Sequence, residues 1–210
     1  MALKLWSIAG TTITQDLDGR VHWTSKAAID VDGANGQNGK PWAYNLNGKG
    51  LDLLANAGWP KKSWRNVLID DGAGHPQTDE RGNCYSSTTY RWSNRPLATR
   101  YVDATTVAYI VVSPIIRVGA KGIVIGSTGR LTWRGVSIPA VVADVSGRDS
   151  IGEASMAAIE QLLRKKGSFS EVQIQRMISP RTGGITGVTF EFWPGQAAKL
   201  NGETYELQRA

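Results

Sequence analysis

The sequence predicts a mainly β protein with one principal helix inserted between strands, an α+β chain. Three observations carry that expectation. Turn dipeptides punctuate the first hundred residues: Asp18-Gly19, Asp32-Gly33, Asn35-Gly36, Asn38-Gly39 and Asn47-Gly48. Strand-length runs of β-branched or alternating residues recur after residue 100. One segment alone holds apolar residues at sustained helical spacing. Many short strands joined by turns favour a barrel or sandwich over a doubly wound sheet.

The elements follow in chain order. The first hundred residues read as short strands and turns, with one short helix around Leu51–Ala57. Val107–Ser113 is a β-branched run closed by Pro114, and Gly122–Gly126 is a short glycine-bounded strand. Leu131–Trp133 and Val136–Asp144 form hairpin arms that turn at Arg134-Gly135. Ser150–Gly167 is the principal helix, with Met156, Ile159, Leu162 and Leu163 on one face and Gly167 as the stop. A shorter helix covers Val172–Ile178. Ile185–Trp193 is a strand in which Val188, Phe190 and Phe192 alternate with Thr189 and Glu191, and Pro194-Gly195 ends it.

Composition narrows the function classes. At 210 residues with 41% apolar and 20% charged residues, the chain suits one globular domain, with residues 1–28 as an N-terminal extension packed on it. Apolar runs stay strand-sized, which argues against membrane insertion and against a visible secretory signal. Export without such a signal, or synthesis and retention in the cytoplasm, is the corresponding expectation. The one cysteine, Cys84, excludes an intramolecular disulfide, and His22 and His75 lack partners at zinc-ligand spacing. No metal or other cofactor is expected. The net charge of +6 favours anionic partners, but Lys and Arg are dispersed, so nucleic-acid binding has the charge without the motif.

The stretch AVVADVSGRDSIGEAS, residues 140–155, concentrates the chemistry. An apolar strand ends at Asp144, a glycine-containing loop follows, and Glu153 sits near a helix start. Two carboxylates across one cleft can act as acid and base on a glycosidic bond. A second reading is also open, because Ser150-Ile151-Gly152-Glu153 fits the capping box, whose glutamate only satisfies the helix terminus. Asp30 and Asp32 lie in DVDGANG, which fails the calcium-loop pattern because Ala34 and Asn35 stand at required positions. A turn stabilised by aspartate side chains is the simpler reading of those residues. Among the eight tryptophans, Trp42 lies beside this stretch with Tyr44, and both are candidate cleft aromatics.

Several of these blocks, in order, resemble the chitosanases of glycoside hydrolase family 75. IDVDGA (29–34), YIVVSP (109–114), GIVIG (122–126), ADVSGRDSIGEAS (143–155), ISPRTGG (178–184) and VTFEFWPG (188–195) carry the resemblance, which spans about residues 29–195. The chain departs from the family at Ala143, where a glycine is usual, and at Ser146-Gly147, where a Gly-Pro-like turn is common. The resemblance implies a double-psi-like β-barrel. It implies Asp144 and Glu153 as the catalytic pair, and a cleft position for Asp30 and Asp32, binding sugar hydroxyls or amines. The activity implied is endo-hydrolysis of a β-1,4-linked amino-sugar polymer of the chitosan type, with inversion. A muramidase-like peptidoglycan hydrolase, serving as a phage lysin or secreted antibacterial effector, is the alternative, and a non-catalytic carbohydrate-binding module is a third. Glu153 at a helix N-terminus would favour its anion and the role of base, with Asp144 as acid after its apolar run; the reverse order is open.

Overall fold

A computed structural model describes residues 3–181 and 183–209. The chain opens with strands β1 (Leu3–Ile8), β2 (Thr11–Gln15) and β3 (Val21–Asp30). The two-residue strands β4 (Tyr44–Asn45) and β5 (Asn83–Cys84) and helix α1 (Leu97–Arg100) punctuate a turn-rich stretch. Then come β6 (Tyr109–Val112), α2 (Pro114–Gly119), β7 (Ser127–Trp133), β8 (Val136–Val145) and β9 (Glu153–Ser155). Helices α3 (Met156–Lys166) and α4 (Glu171–Met177) lead into β10 (Ile185–Ala197) and the closing strands β11 (Lys199–Leu200) and β12 (Glu203–Thr204).

Six of these strands close on themselves. The hydrogen-bonded order β3-β10-β7-β8-β6-β9 returns to β3 through a β3–β9 pairing. Closure leaves this ring without a free edge. The β3–β9 and β6–β8 pairs are parallel, and the other four are antiparallel. A closed six-stranded barrel with helices packed around it is the double-psi-like, mainly β architecture expected. β1 and β2 extend the sheet outward from β3. Residues 21–28 therefore belong to a barrel strand rather than to an N-terminal extension.

Local sequence explains most elements. β7 alternates buried Gly129, Leu131 and Trp133 with Thr128, Arg130 and Thr132, of which only Arg130 is exposed rather than half-buried. Its hairpin with β8 turns at Arg134 and Gly135, both with positive φ (46° and 82°), as a tight primed turn requires. β8 is apolar and buried from Ala140 to Ala143, as a strand covered on both faces demands. Trp23 of β3 stacks on Phe190 of β10 with ring centroids 4.9 Å apart, which fixes the register of two long strands. Helix α3 buries Met156, Ile159, Leu162 and Leu163 and ends on Gly167 in the left-handed conformation.

The principal helix starts six residues later than the sequence suggested. Ser155 caps it, accepting a hydrogen bond from the Ala158 amide, so Glu153 lies in β9. Ser150 is not a helix cap, although its hydroxyl donates to Glu153 Oε1 at 3.2 Å. Three other differences are local. Leu51–Ala57 forms turns, because loop contacts such as Asp52 N–H to the Ala43 carbonyl replace helical pairing. Gly122–Gly126 meets neighbouring backbone only at isolated points, including an Ile125–Gln208 bridge. β10 passes through Pro194-Gly195, absorbing them where its register against β7 shifts between Phe192 and Ala197. Thr182 of the ISPRTGG block lies outside the described residues.

Candidate active site

One end of the barrel opens into a cleft of about 640 Å³. β6 organises it. Val111 pairs with Asp144 of β8 on one side and with Glu153 of β9 on the other. The two acids therefore stand on strands that flank a common neighbour, their backbones about 9.5 Å apart at two strand spacings. β9 in turn pairs with β3, which ends at Asp30. Barrel closure thus brings residues 30, 144 and 153 to one place.

Two glycines make this geometry possible. Gly152 has φ 86°, and a Cβ there would run into the Lys26 carbonyl, so only glycine lets β9 approach β3. Gly33 has φ 76°, and a Cβ there would meet the Val102 carbonyl. The turn after Asp30 is also held by its side chain, because Asp30 Oδ1 accepts the Asp32 amide at 2.9 Å. Asp32 Oδ1 accepts the Tyr44 hydroxyl at 2.8 Å, and the Tyr109 hydroxyl donates to the Asp32 carbonyl at 3.2 Å.

Asp144 is the most firmly held of the acids and is only 7% exposed. Its Oδ1 accepts three hydrogen bonds: from the Thr89 amide (2.9 Å), the Thr89 hydroxyl (2.8 Å) and the Val145 amide (2.8 Å). Carboxylate oxygens of Asp30, Asp32 and Asp144 all lie within 4.8 Å of one another. Like charges so close in a desolvated site disfavour full ionisation. Burial, then the Asp144 charge, holds the Asp30 carboxyl well above the usual range, and burial, then Asp30, does the same to Asp32. Burial pushes Asp144 up to about 6 against the pull of its Thr89 and Val145 donors, with the Glu153 charge adding to the rise. Burial raises Glu153 as well, opposed by Ser150.

Both predicted catalytic acids and three of the four predicted binding residues line the same cleft: Asp144, Glu153, Asp30, Asp32 and Tyr44. Tyr44 is buried, and its hydroxyl is committed to Asp32, so it positions an acid rather than presenting a ring to a sugar. Trp42 is not among the lining residues. Its ring stands edge-on to Tyr85 at 5.0 Å and backs the turn at Gly36, where a Cβ would collide with it. No tryptophan lines the cleft. Sequence reasoning missed Asp52, Asn56, Ser63, Asn66 and Thr89 on its walls. The first four come from the irregular 51–67 stretch, and Thr89 reaches Asp144 across 55 residues. No local signal marks any of them.

The arrangement offers oxygen ligands and titrating carboxyls, and among the described residues no histidine or cysteine lines it. The close Asp30, Asp32 and Asp144 carboxylates are a donor set suited to a hard cation, and equally to sharing protons among themselves. Among the described residues, five acids line the cleft, Asp30, Asp32, Asp52, Asp144 and Glu153, and no lysine or arginine does. A chain of net charge +6 therefore presents a local acidic mouth.

The chain matches no protein-family model and has no significant match among curated proteins. Among solved structures it is similar to a Streptomyces papain inhibitor at 16% identity and TM-score 0.31, over 52% of this chain and 86% of that one.

Proposed function

We propose that this protein is an endo-acting glycoside hydrolase that cuts a β-1,4-linked amino-sugar polymer, with Asp144 and Glu153 as the acid–base pair. The observation that carries this reading is the convergence of Asp30, Asp32, Asp144 and Glu153 in one cleft free of cationic side chains. Such a cleft supplies what the reaction needs: paired carboxyls with raised pKa values, and a field that attracts protonated amines. The sugar amine also answers the crowding of carboxyls. An ammonium seated beside Asp30 and Asp32 stabilises their anions and lowers their pKa values.

Asp144 is the general acid in this proposal. A carboxyl near 6 still holds its proton in mildly acidic solution and can hand it to the leaving oxygen. Three donors occupy Oδ1, so Oδ2 is the atom available to carry that proton. Glu153 activates water. The helix-terminus argument for that role is gone with the helix, but the role stands on position, two strands from Asp144 across Val111. Inversion in this proposal requires a water held between the two carboxyls, at a spacing of roughly 6.5–9.5 Å.

The test uses soluble chitosan and, separately, purified bacterial sacculi, with fragments identified by mass spectrometry. Glucosamine oligomers support the chitosan-type reading; disaccharide-peptide fragments favour the peptidoglycan alternative. Asp144→Asn and Glu153→Gln should each lower kcat by about 10²–10⁴. For the native protein, activity should fall as pH rises through about 6, because Asp144 must be protonated to act. Release of no fragment from either polymer would sink the hydrolase reading and leave a carbohydrate-binding module.

A further inference from the structure

We propose that the substrate groove runs beyond the acidic cleft into a basic arm that binds carboxylates, so that the polymer carries both amines and acids. The inference rests on the hydrolase reading above and narrows its substrate class.

Ser87, Thr88 and Thr89 line both the acidic cleft and a second depression of about 590 Å³. Among the described residues, that second depression holds Arg91 and Arg209 and no acidic residue. Gln208 and Arg209 then line a third hollow of about 370 Å³, which also holds Arg117 and no acid. The three hollows share lining residues and so adjoin one another; taken as one groove, they would give an endo-acting enzyme room for several sugar units. Its charge inverts at Ser87–Thr89. Five carboxyls lie on one side of that wall, and arginines alone among charged residues lie on the other.

The basic arm is built rather than incidental. Gln208 clamps the Arg91 backbone in both directions, accepting from its amide at 3.2 Å and donating to its carbonyl at 2.7 Å. The Arg91–Tyr101 and Ile125–Gln208 bridges tie the same walls to the rest of the protein. Arg91 and Arg209 are exposed, and their guanidinium groups form no ion pair among the described residues. Arg20 and Arg130, by contrast, are neutralised in place by Glu191. A planar, unpaired guanidinium beside a groove is suited to bidentate capture of a carboxylate. A uniformly cationic polymer gains nothing from such an arm and is repelled by it. A polymer whose units near the reacting bond carry amines, and whose units beyond Ser87–Thr89 carry carboxylates, complements both halves.

Affinity for matched probes tests this without relying on turnover. Chitosan oligosaccharides and carboxymethyl chitosan oligosaccharides of equal length, both retaining amines, are titrated at low salt into full-length protein carrying Glu153→Gln. The carboxymethylated probe should bind about threefold to tenfold tighter, the gain that two exposed ion pairs supply. Arg91→Gln combined with Arg209→Gln should remove that preference while leaving the melting temperature unmoved, since both side chains are exposed. Equal or weaker binding of the carboxymethylated probe overturns the inference, and so does a preference that survives the double replacement. The two readings fail separately. Chitosan cut by the native protein with no carboxylate preference sinks only the basic arm. A preference without hydrolysis of either polymer supports the arm and sinks the hydrolase.

Discussion

Three donors converge on Oδ1 of Asp144, and two of them belong to Thr89. The Thr89 hydroxyl favours the anion, opposing the burial that drives the pKa up. Thr89→Val keeps the shape and the amide donor and removes the hydroxyl donor. A hydrogen bond to a charged group contributes about 1.5–3 kcal/mol, so the alkaline limb of activity should move up by about one to two pH units. A limb that stays in place would separate Asp144 from the role of acid. Asp30 makes a stability prediction of definite sign. Its folded-state pKa lies well above its unfolded value, through burial and then the Asp144 charge. The folded protein therefore holds that proton more tightly, and the contribution present at acid pH is lost as pH rises through the folded value. Asp30→Asn removes the titration and keeps an oxygen to accept the Asp32 amide. The variant should melt higher than the native protein at neutral to alkaline pH, with the gap closing towards pH 4, as thermal melts across pH would show.

At the scale of elements, β9 decides whether the site exists. It is three residues long, yet it pairs with β3 on one side and β6 on the other and so closes the barrel. Gly152→Ala places a Cβ against the Lys26 carbonyl at a positive φ, which should cost about 2–4 kcal/mol. Denaturant melts measure the loss, and activity should vanish at temperatures where the variant remains folded, because Glu153 moves with its strand. The sequence around β9 was legible in composition and misleading in form. Ser150, Gly152 and Glu153 read locally as a helix start, but pairing with two distant strands captured Glu153–Ser155 and moved the cap to Ser155. Where local and tertiary preferences agree, the reading was sound. The alternation of Val188, Phe190 and Phe192 marked β10, and Arg134-Gly135 marked the turn of the β7–β8 hairpin. Asp144 was legible as a strand-end acid, whereas Asp30 read locally only as a turn residue. Asp52 and Thr89 were not legible, because long-range packing of an irregular stretch alone carries them to the cleft.

For the whole molecule, two opposed fields act on an amino-sugar polymer at different ranges. The net charge of +6 repels a polycation from afar, and the cation-free cleft attracts it at contact. Screening separates them. At roughly 0.01 M salt the Debye length is about 30 Å, comparable to the protein itself, and repulsion by the whole surface slows approach. At roughly 0.1 M it falls to about 10 Å, which suppresses that repulsion yet spares contacts of a few ångströms. Near 1 M it is about 3 Å, and attraction at the cleft weakens in turn. For glucosamine oligomers, kcat/KM should therefore rise a few-fold from the lowest salt, pass through a maximum and decline. Neutral, fully acetylated oligomers give the control, because any salt effect on the barrel itself appears there too. A steady decline from the lowest salt would mean that the cleft field already dominates at long range. A steady rise would mean that Asp30, Asp32, Asp144 and Glu153 remain too protonated to attract an amine, and the case for a cationic substrate would fall with it.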